Sequence, residues 1–397
     1  MDLSPNVRKI KPSITLAISA KAKAMKADGL DVIALSAGEP DFGTPSHICK
    51  AAIDAINDGF TRYTPASGTP ELKKAVCEKL RRDNGLDYTV SQVMINCGAK
   101  HSVFLAVYAL IGPGDEVIIP APYWVSYPEM VRAAGGTPVI VKAGMENGLK
   151  ITPDQLRKSI TPKTKLLILN TPSNPTGMTY SEDELRALAE VIIDAGIAVI
   201  SDEIYEKLVY DVTKHVSLAS LSSDMYERTI SINGVSKAYC MTGWRIGYSA
   251  GPEDVIKGMS ALQSQETSNP SSISQKAALA ALTGPEDFLG TMVEEYDRRR
   301  RYVVDRLNAM DGVTCILPTG GFYVFPDVST FYGKSSGGRA IDGSFAMSEY
   351  LLGEHLIATV PGTGFGSDEN IRISYATSKE NLTKALDRLE AGLKALS

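Results

Sequence analysis

Histidine is scarce in this chain, with four residues among 397, and tryptophan scarcer still, with two. The histidines, His47, His101, His215 and His355, are dispersed, so neither a zinc site nor a histidine-based triad is indicated; no metal is expected. The cysteines (Cys49, Cys77, Cys97, Cys240 and Cys315) include no C-x-x-C pair. That argues against a disulfide framework and suits free thiols in a reducing compartment, so a cytoplasmic location is expected. No stretch approaches the roughly 20 apolar residues of a membrane helix, and residues 1–21 lack the apolar core of a signal peptide. A membrane partner is not expected. Basic charge is also lacking: the net charge is −5, which argues against a nucleic-acid partner. The one basic run, Arg298 to Arg301, reads as a solvated helix face paired with nearby acids.

What is present is the ordinary apolar content of a globular chain long enough for two domains. Between about residues 90 and 250, short β-rich runs alternate with helical patterns. "DEVIIP" (115–120), "TPVIVK" (137–142), "KLLILN" (165–170), "IAVISDE" (197–203) and "TISINGVS" (229–236) are largely apolar throughout. A strand covered on both faces requires such a run, so the fold class is α/β with a mostly parallel sheet. Two intervening helices announce their starts. Thr152, Pro153 and Gln155 form one capping-box signature, and Ser181 and Glu184 another. After the second, Leu185, Leu188, Ala189 and Ile192 share a helical face. The ends differ in character. Residues 1–44 are short polar pieces. From 289 come a charged helix, strand-like "GVTCILP" and "GFYVFPD", a glycine- and serine-rich loop at 332–344, and an amphipathic helix from Lys379 to Leu396. The expected division is an N-terminal arm (1–44), a large domain (45–288) and a smaller α+β domain (289–397).

Ligands of open α/β sheets bind beyond the carboxyl ends of the strands. The polar residues following the apolar runs are therefore the candidates. Asn174 follows the third run, Asp202 and Tyr205 come after "IAVIS" of the fourth, and Ser236 and Lys237 after "TISINGV" of the fifth. "NCGA" before a helix at about 100 offers backbone N–H groups to an anion. Lys237 and Arg245 sit in "SKAYCMTGWRIGY", where Gly243 and Gly247 weaken any helix. An amine, a carboxylate, a phenol, an amide and a fixed cation meet the needs of pyridoxal phosphate. Its aldehyde takes an amine, its ring nitrogen a carboxylate, its ring oxygen hydrogen-bond donors, and its phosphate an arginine with backbone N–H groups.

The chain resembles the class I pyridoxal-phosphate aminotransferases of fold type I, in the bacterial subgroup of aspartate and aspartate/prephenate aminotransferases. Eight segments carry the likeness in the family's order: "SAGEPDF", "RYTPASGTPEL", "GAKHSVF", "PYWVSYPEM", "NTPSNPTG", "SDEIYE", "SKAYCMTGWRIGY" and "IRISYATS". The resemblance implies a seven-stranded sheet flanked by helices in a large cofactor-binding domain. It implies Lys237 as the catalytic lysine holding pyridoxal 5′-phosphate, with Asp202 at the ring nitrogen and Tyr205 and Asn174 at the ring oxygen. Trp124 would stack on the ring, with Arg245, Ala99 and Lys100 around the phosphate. Tyr63 would reach the phosphate of the neighbouring subunit, implying a homodimer with shared active sites. Arg372 and Gly38 would bind the substrate α-carboxylate, Lys100 a side-chain carboxylate, and Lys11, Ser13 and Thr15 would belong to an arm closing over the substrate. The expected reaction moves the amino group of aspartate or glutamate to a 2-oxo acid such as 2-oxoglutarate, with prephenate as a second substrate. The alternatives are an aromatic or broad-specificity aminotransferase and a lyase of the same fold. Cys240 departs from the small or aliphatic residue usual three positions after the lysine, and is expected to affect packing only.

Overall fold

Apolar runs that cannot face water on either side form the centre of the molecule. In the computed structural model, which describes residues 1–3, 5–211 and 213–397, seven strands make one sheet. They are β1 (Val93–Asn96), β2 (Glu116–Ala121), β3 (Thr137–Lys142), β4 (Thr164–Asn170), β5 (Ala198–Asp202), β6 (Thr229–Gly234) and β7 (Gly247–Ala250). Their order is β1–β7–β6–β5–β4–β2–β3. β7 runs antiparallel to both its neighbours, and the other contacts are parallel. The five apolar runs thus become β2 to β6. β1, β6 and β7 are buried at every residue, whereas β3, at the edge, keeps Thr137, Ile140 and Lys142 exposed.

Helices cover both faces. Val103, Val107, Tyr127, Ile256 and Met259 pack on one side against Met94, Ile168 and Ile200. On the other, Leu185, Leu188 and Ile192 meet Leu167, Leu169 and Val199. Both predicted capping boxes are present: Gln155 N donates to Thr152 Oγ1 at 3.2 Å, and Glu184 N to Ser181 Oγ at 3.3 Å. They fix where the helices Pro153–Ser159 and Glu182–Ala195 begin.

Residues from the two ends of the chain are woven together. Ile33–Ala34 pairs in parallel with Ile357–Ala358. The strand Ile371–Ser374 lies between Val360–Pro361 and Tyr323–Val324 in a small antiparallel sheet. Three expectations need correcting here. "GVTCILP" contributes a single bridge, Thr314 to Asp327, instead of a strand. The 332–344 loop contains a hairpin, Ser335–Ser336 against Arg339–Ala340. Gly337 and Gly338 both adopt positive φ, as a tight two-residue hairpin turn requires. The basic run is not a solvated face throughout: Arg299 and Arg300 are buried, paired with Asp41 and Glu295 and with Asp211 and Asp297 respectively. Helical periodicity turns two of four consecutive arginines inward, and nearby acids compensate their charge.

Candidate active site

Parallel strands end at a common edge, and here that edge gathers the polar residues. β4 ends at Asn170, β5 at Asp202 and β6 at Gly234, with Ser236 and Lys237 just beyond. Asn170, Asp202, Ser236 and Lys237 line a cavity of about 640 Å³ together with Gly38, Ala99, Lys100, Trp124, Asn174, Tyr205, Arg245, Tyr323 and Arg372. Ser13, just before the helix Ile14–Ala27, and Thr15, in its first turn, also face it.

Lys237 Nζ donates to the Gly38 carbonyl at 2.6 Å and lies 5.8 Å from the Tyr205 ring centre. Burial brings its pKa down to about 8; Arg372 and Arg245 push the same way, against the opposing pull of Glu39 and Asp202. Asp202 shows the converse effect. Burial pushes its carboxyl up to about 6, while the Tyr127 hydroxyl and the Ile204 N–H, which both donate to it, hold it down. An amine and an acid, each buried near the edge of its charged range, form a responsive pair.

Tyr205 and Tyr323 share a hydrogen bond between their hydroxyls, 2.9 Å apart. Arg372 is 2 % exposed. It donates to Asn174 Oδ1 at 2.9 Å and to the Ser36 carbonyl at 2.8 Å, and its guanidinium lies 4.5 Å from the Tyr323 ring centre. Its buried Nε has no hydrogen-bond partner among the described residues. A guanidinium has five donors, so this one retains the capacity to take a carboxylate.

The helix Ala99–Leu110 starts beside Arg245, and among the described residues no side chain caps it. Glycine makes this approach possible. A Cβ on Gly247 would lie 2.3 Å from Ala99 N, and one on Gly98, whose φ is +90°, 2.3 Å from Arg245 Nη2. Free N–H groups at a helix start beside an arginine can hold a phosphate. Lys100 places Nζ 4.9 Å from the Trp124 ring centre, and desolvation together with the Arg245 charge lowers its pKa. The whole donor set fits a phosphorylated aromatic aldehyde: amine, acid, phenol, amide and anion cradle stand around one cavity.

Two predicted residues stand apart. Lys11 lies in an adjoining cavity of about 530 Å³ that shares Ser13, Lys100, Val125 and Ser126 with the first, and its backbone N–H is held by Glu129. Tyr63 is 90 % exposed, on a surface shared with Asn269 and Ser271 and away from this chain's own cavity. Cys240 is buried at positive φ with its sulfur 3.5 Å from that of Met292. Sequence reasoning passed over Tyr127 and Tyr323. Tyr127 stood in a quoted segment, three residues after Trp124; Tyr323 is 118 residues from the hydroxyl it meets, and nothing local marks it.

Fold and site together define the class, an α/β protein of aminotransferase type. Residues 30–389 match the family of class I and II aminotransferases, and the chain belongs to that family. It is 53% identical over 397 residues to the aspartate/prephenate aminotransferase of Cereibacter sphaeroides, covering 100% of this chain and 99% of that one. It is 50% identical to an aspartate aminotransferase of Geobacillus stearothermophilus, with 100% of each chain covered. Among solved structures, the aspartate aminotransferase of Rhizobium meliloti superposes with a TM-score of 0.96 at 46% identity, over 100% of both chains. That of Thermus thermophilus with maleate gives 0.93 at 44%, over 99% of this chain and 100% of that one.

Proposed function

We propose that the protein transfers the amino group of aspartate, or of glutamate, to a 2-oxo acid. With aspartate and 2-oxoglutarate the products are oxaloacetate and glutamate, and prephenate is a second acceptor, giving arogenate. The observation that carries this reading is the pairing of Arg372, with donors to spare, and Lys100 across one cavity. A dicarboxylate needs two cations, one for each end.

The cofactor is pyridoxal 5′-phosphate. Lys237 would hold it, with Asp202 at the ring nitrogen, Tyr205 and Asn174 at the ring oxygen, Trp124 on the ring face, and Arg245 and the Ala99–Lys100 helix start at the phosphate. Bound there, it supplies an electron sink for the bond broken at the substrate α-carbon. Lys237 Nζ, neutral above about pH 8, is the base that accepts the α-proton. Asp202, ionised above about pH 6, places negative charge at the end of β5. Arg372 and Gly38 bind the substrate α-carboxylate, and Lys100 the distal one. Lys11 and Thr15 belong to the arm that covers the substrate. Tyr63 acts in the site of a second copy, so the working unit is a homodimer with shared sites. The division at 44/45 and 288/289 separates the cofactor-binding body from the segments that carry Gly38 and Arg372. No helix among the described residues is long and apolar enough to cross a membrane; with the five cysteines free, we place the enzyme in the cytoplasm.

The test is Lys100→Ala, assayed with aspartate, glutamate, alanine and phenylalanine as donors. Loss of a charge-assisted hydrogen bond should lower kcat/KM for the two dicarboxylates by roughly 10- to 100-fold, with far smaller losses for the other two. An equal fall for all four would place Lys100 at the phosphate or in the framework and refute its specificity role.

A further inference from the structure

Tyr127 holds none of the roles above, yet it touches two of the groups that do. It is 1 % exposed, at the start of the helix Tyr127–Ala133. Its hydroxyl donates to Asp202 Oδ2 at 2.6 Å. Its ring meets Trp124 edge-on, centroids 5.3 Å apart at 82°, and its backbone N–H is bonded to the Trp124 carbonyl at 3.0 Å. The Asp202 main chain is fixed separately, its carbonyl accepting from Asn170 Nδ2 at 2.8 Å and Thr171 N at 3.1 Å. With the backbone so held, the remaining freedom of Asp202 is rotation of its carboxylate and gain or loss of its proton. Of the two groups that donate to that carboxylate, Tyr127 supplies the shorter bond.

We propose that Tyr127 is a positioning residue that keeps Asp202 ionised and oriented through its hydroxyl and sets the place of Trp124 through its ring. The inference rests on the pyridoxal phosphate reading of the site. A buried carboxylate without donors takes up a proton, because the low-dielectric interior penalises the charge. A protonated Asp202 can no longer offer negative charge to a ring nitrogen. The other groups bearing on Asp202 are Lys237, which favours the charge, and Glu203 from its own segment, which opposes it. Neither would change in a Tyr127 variant. Because one aromatic residue contacts both the acid and the indole, its two functions can be separated by substitution.

Pyridoxal 5′-phosphate is the probe. Apo-protein in a Trp244→Phe background, where Trp124 is the remaining tryptophan, is titrated between about pH 5 and 8, and binding is followed by tryptophan fluorescence. The wild-type side chain should give an acid limb of affinity near pH 6. Tyr127→Phe should move that limb up by about one pH unit, weakening binding about tenfold near pH 5 but only about twofold near pH 7, and leaving Trp124 emission in the apo-protein unchanged. Tyr127→His, which keeps a ring N–H donor, should recover part of the shift, and provides the test if the Phe variant does not fold. Tyr127→Leu should alter Trp124 emission as well. An unmoved limb, or the same loss at every pH, overturns the inference. Absence of any cofactor binding by the unsubstituted protein contradicts the cofactor reading instead.

Discussion

Lys237 is held where its charge is disfavoured. Burial and two arginines lower its pKa to about 8 from an ordinary 10.5, so the folded apo-protein at pH 7 carries a cation it would be easier to lose. The sign of the linkage follows. Between about pH 8 and 10.5 the unfolded chain binds the proton and the folded one does not, so stability rises with pH across that window. Lys237→Met should therefore stabilise the apo-protein at pH 7, by on the order of 2 kcal/mol, and the gain should shrink above pH 8. Chemical unfolding at pH 7 and pH 10 reads both; a variant less stable than the parent at pH 7 would contradict the burial argument. Some candidates are marked by position alone, where a strand must end at the ligand edge: Asp202 at the end of β5 and Lys237 just after β6, whereas Gly38, Trp124 and Arg372 were named through the family resemblance. Tyr127 and Tyr323 were not legible, because their partners, Asp202 and Tyr205, lie 75 and 118 residues away. Only the completed fold makes those pairs.

Elements whose signals are local were the most readable. Thr152–Gln155 and Ser181–Glu184 begin helices through bonds within four residues. The hairpin at Ser335–Ala340 was missed because the same glycines suit a mobile loop and a tight turn, and pairing of the flanking residues decides between them. At the proposed phosphate cradle the decisive residues are glycines that allow two elements to touch. Gly247→Ala would drive a methyl group into the backbone at Gly98 and Ala99, which cannot retreat without moving the helix. Gly98→Ala meets chiefly the far end of Arg245, which can swing aside, although the φ of +90° adds strain. Gly247→Ala is thus expected to cost about 1–3 kcal/mol of stability together with cofactor affinity. Gly98→Ala should lose cofactor affinity with a smaller stability loss. Thermal melting beside cofactor titration separates them, and equal melting temperatures with equal affinities would show the close approach to be unimportant.

At the scale of the molecule, the two ends of the chain close one side of the cavity. Gly38 accepts from Lys237, and the Ser36 carbonyl from Arg372. Asp41 pairs with the buried Arg299 of the long helix Asp287–Asn308. The apolar runs pointed to an α/β chain and its net charge to no basic face, but neither could reveal that interlocking, which depends on contacts more than 250 residues apart. Tyr63, exposed in one chain, likewise has a role only in the proposed dimer.

The central claim is that one site handles donor and acceptor in turn, storing the amino group between them. The most direct measurement mixes the holoenzyme with aspartate in the absence of any oxo acid and quantifies the products. The account predicts about one oxaloacetate per subunit and then arrest, followed by one glutamate per subunit when 2-oxoglutarate is added. Continuous turnover of aspartate alone, with release of ammonia, would contradict it and identify a lyase.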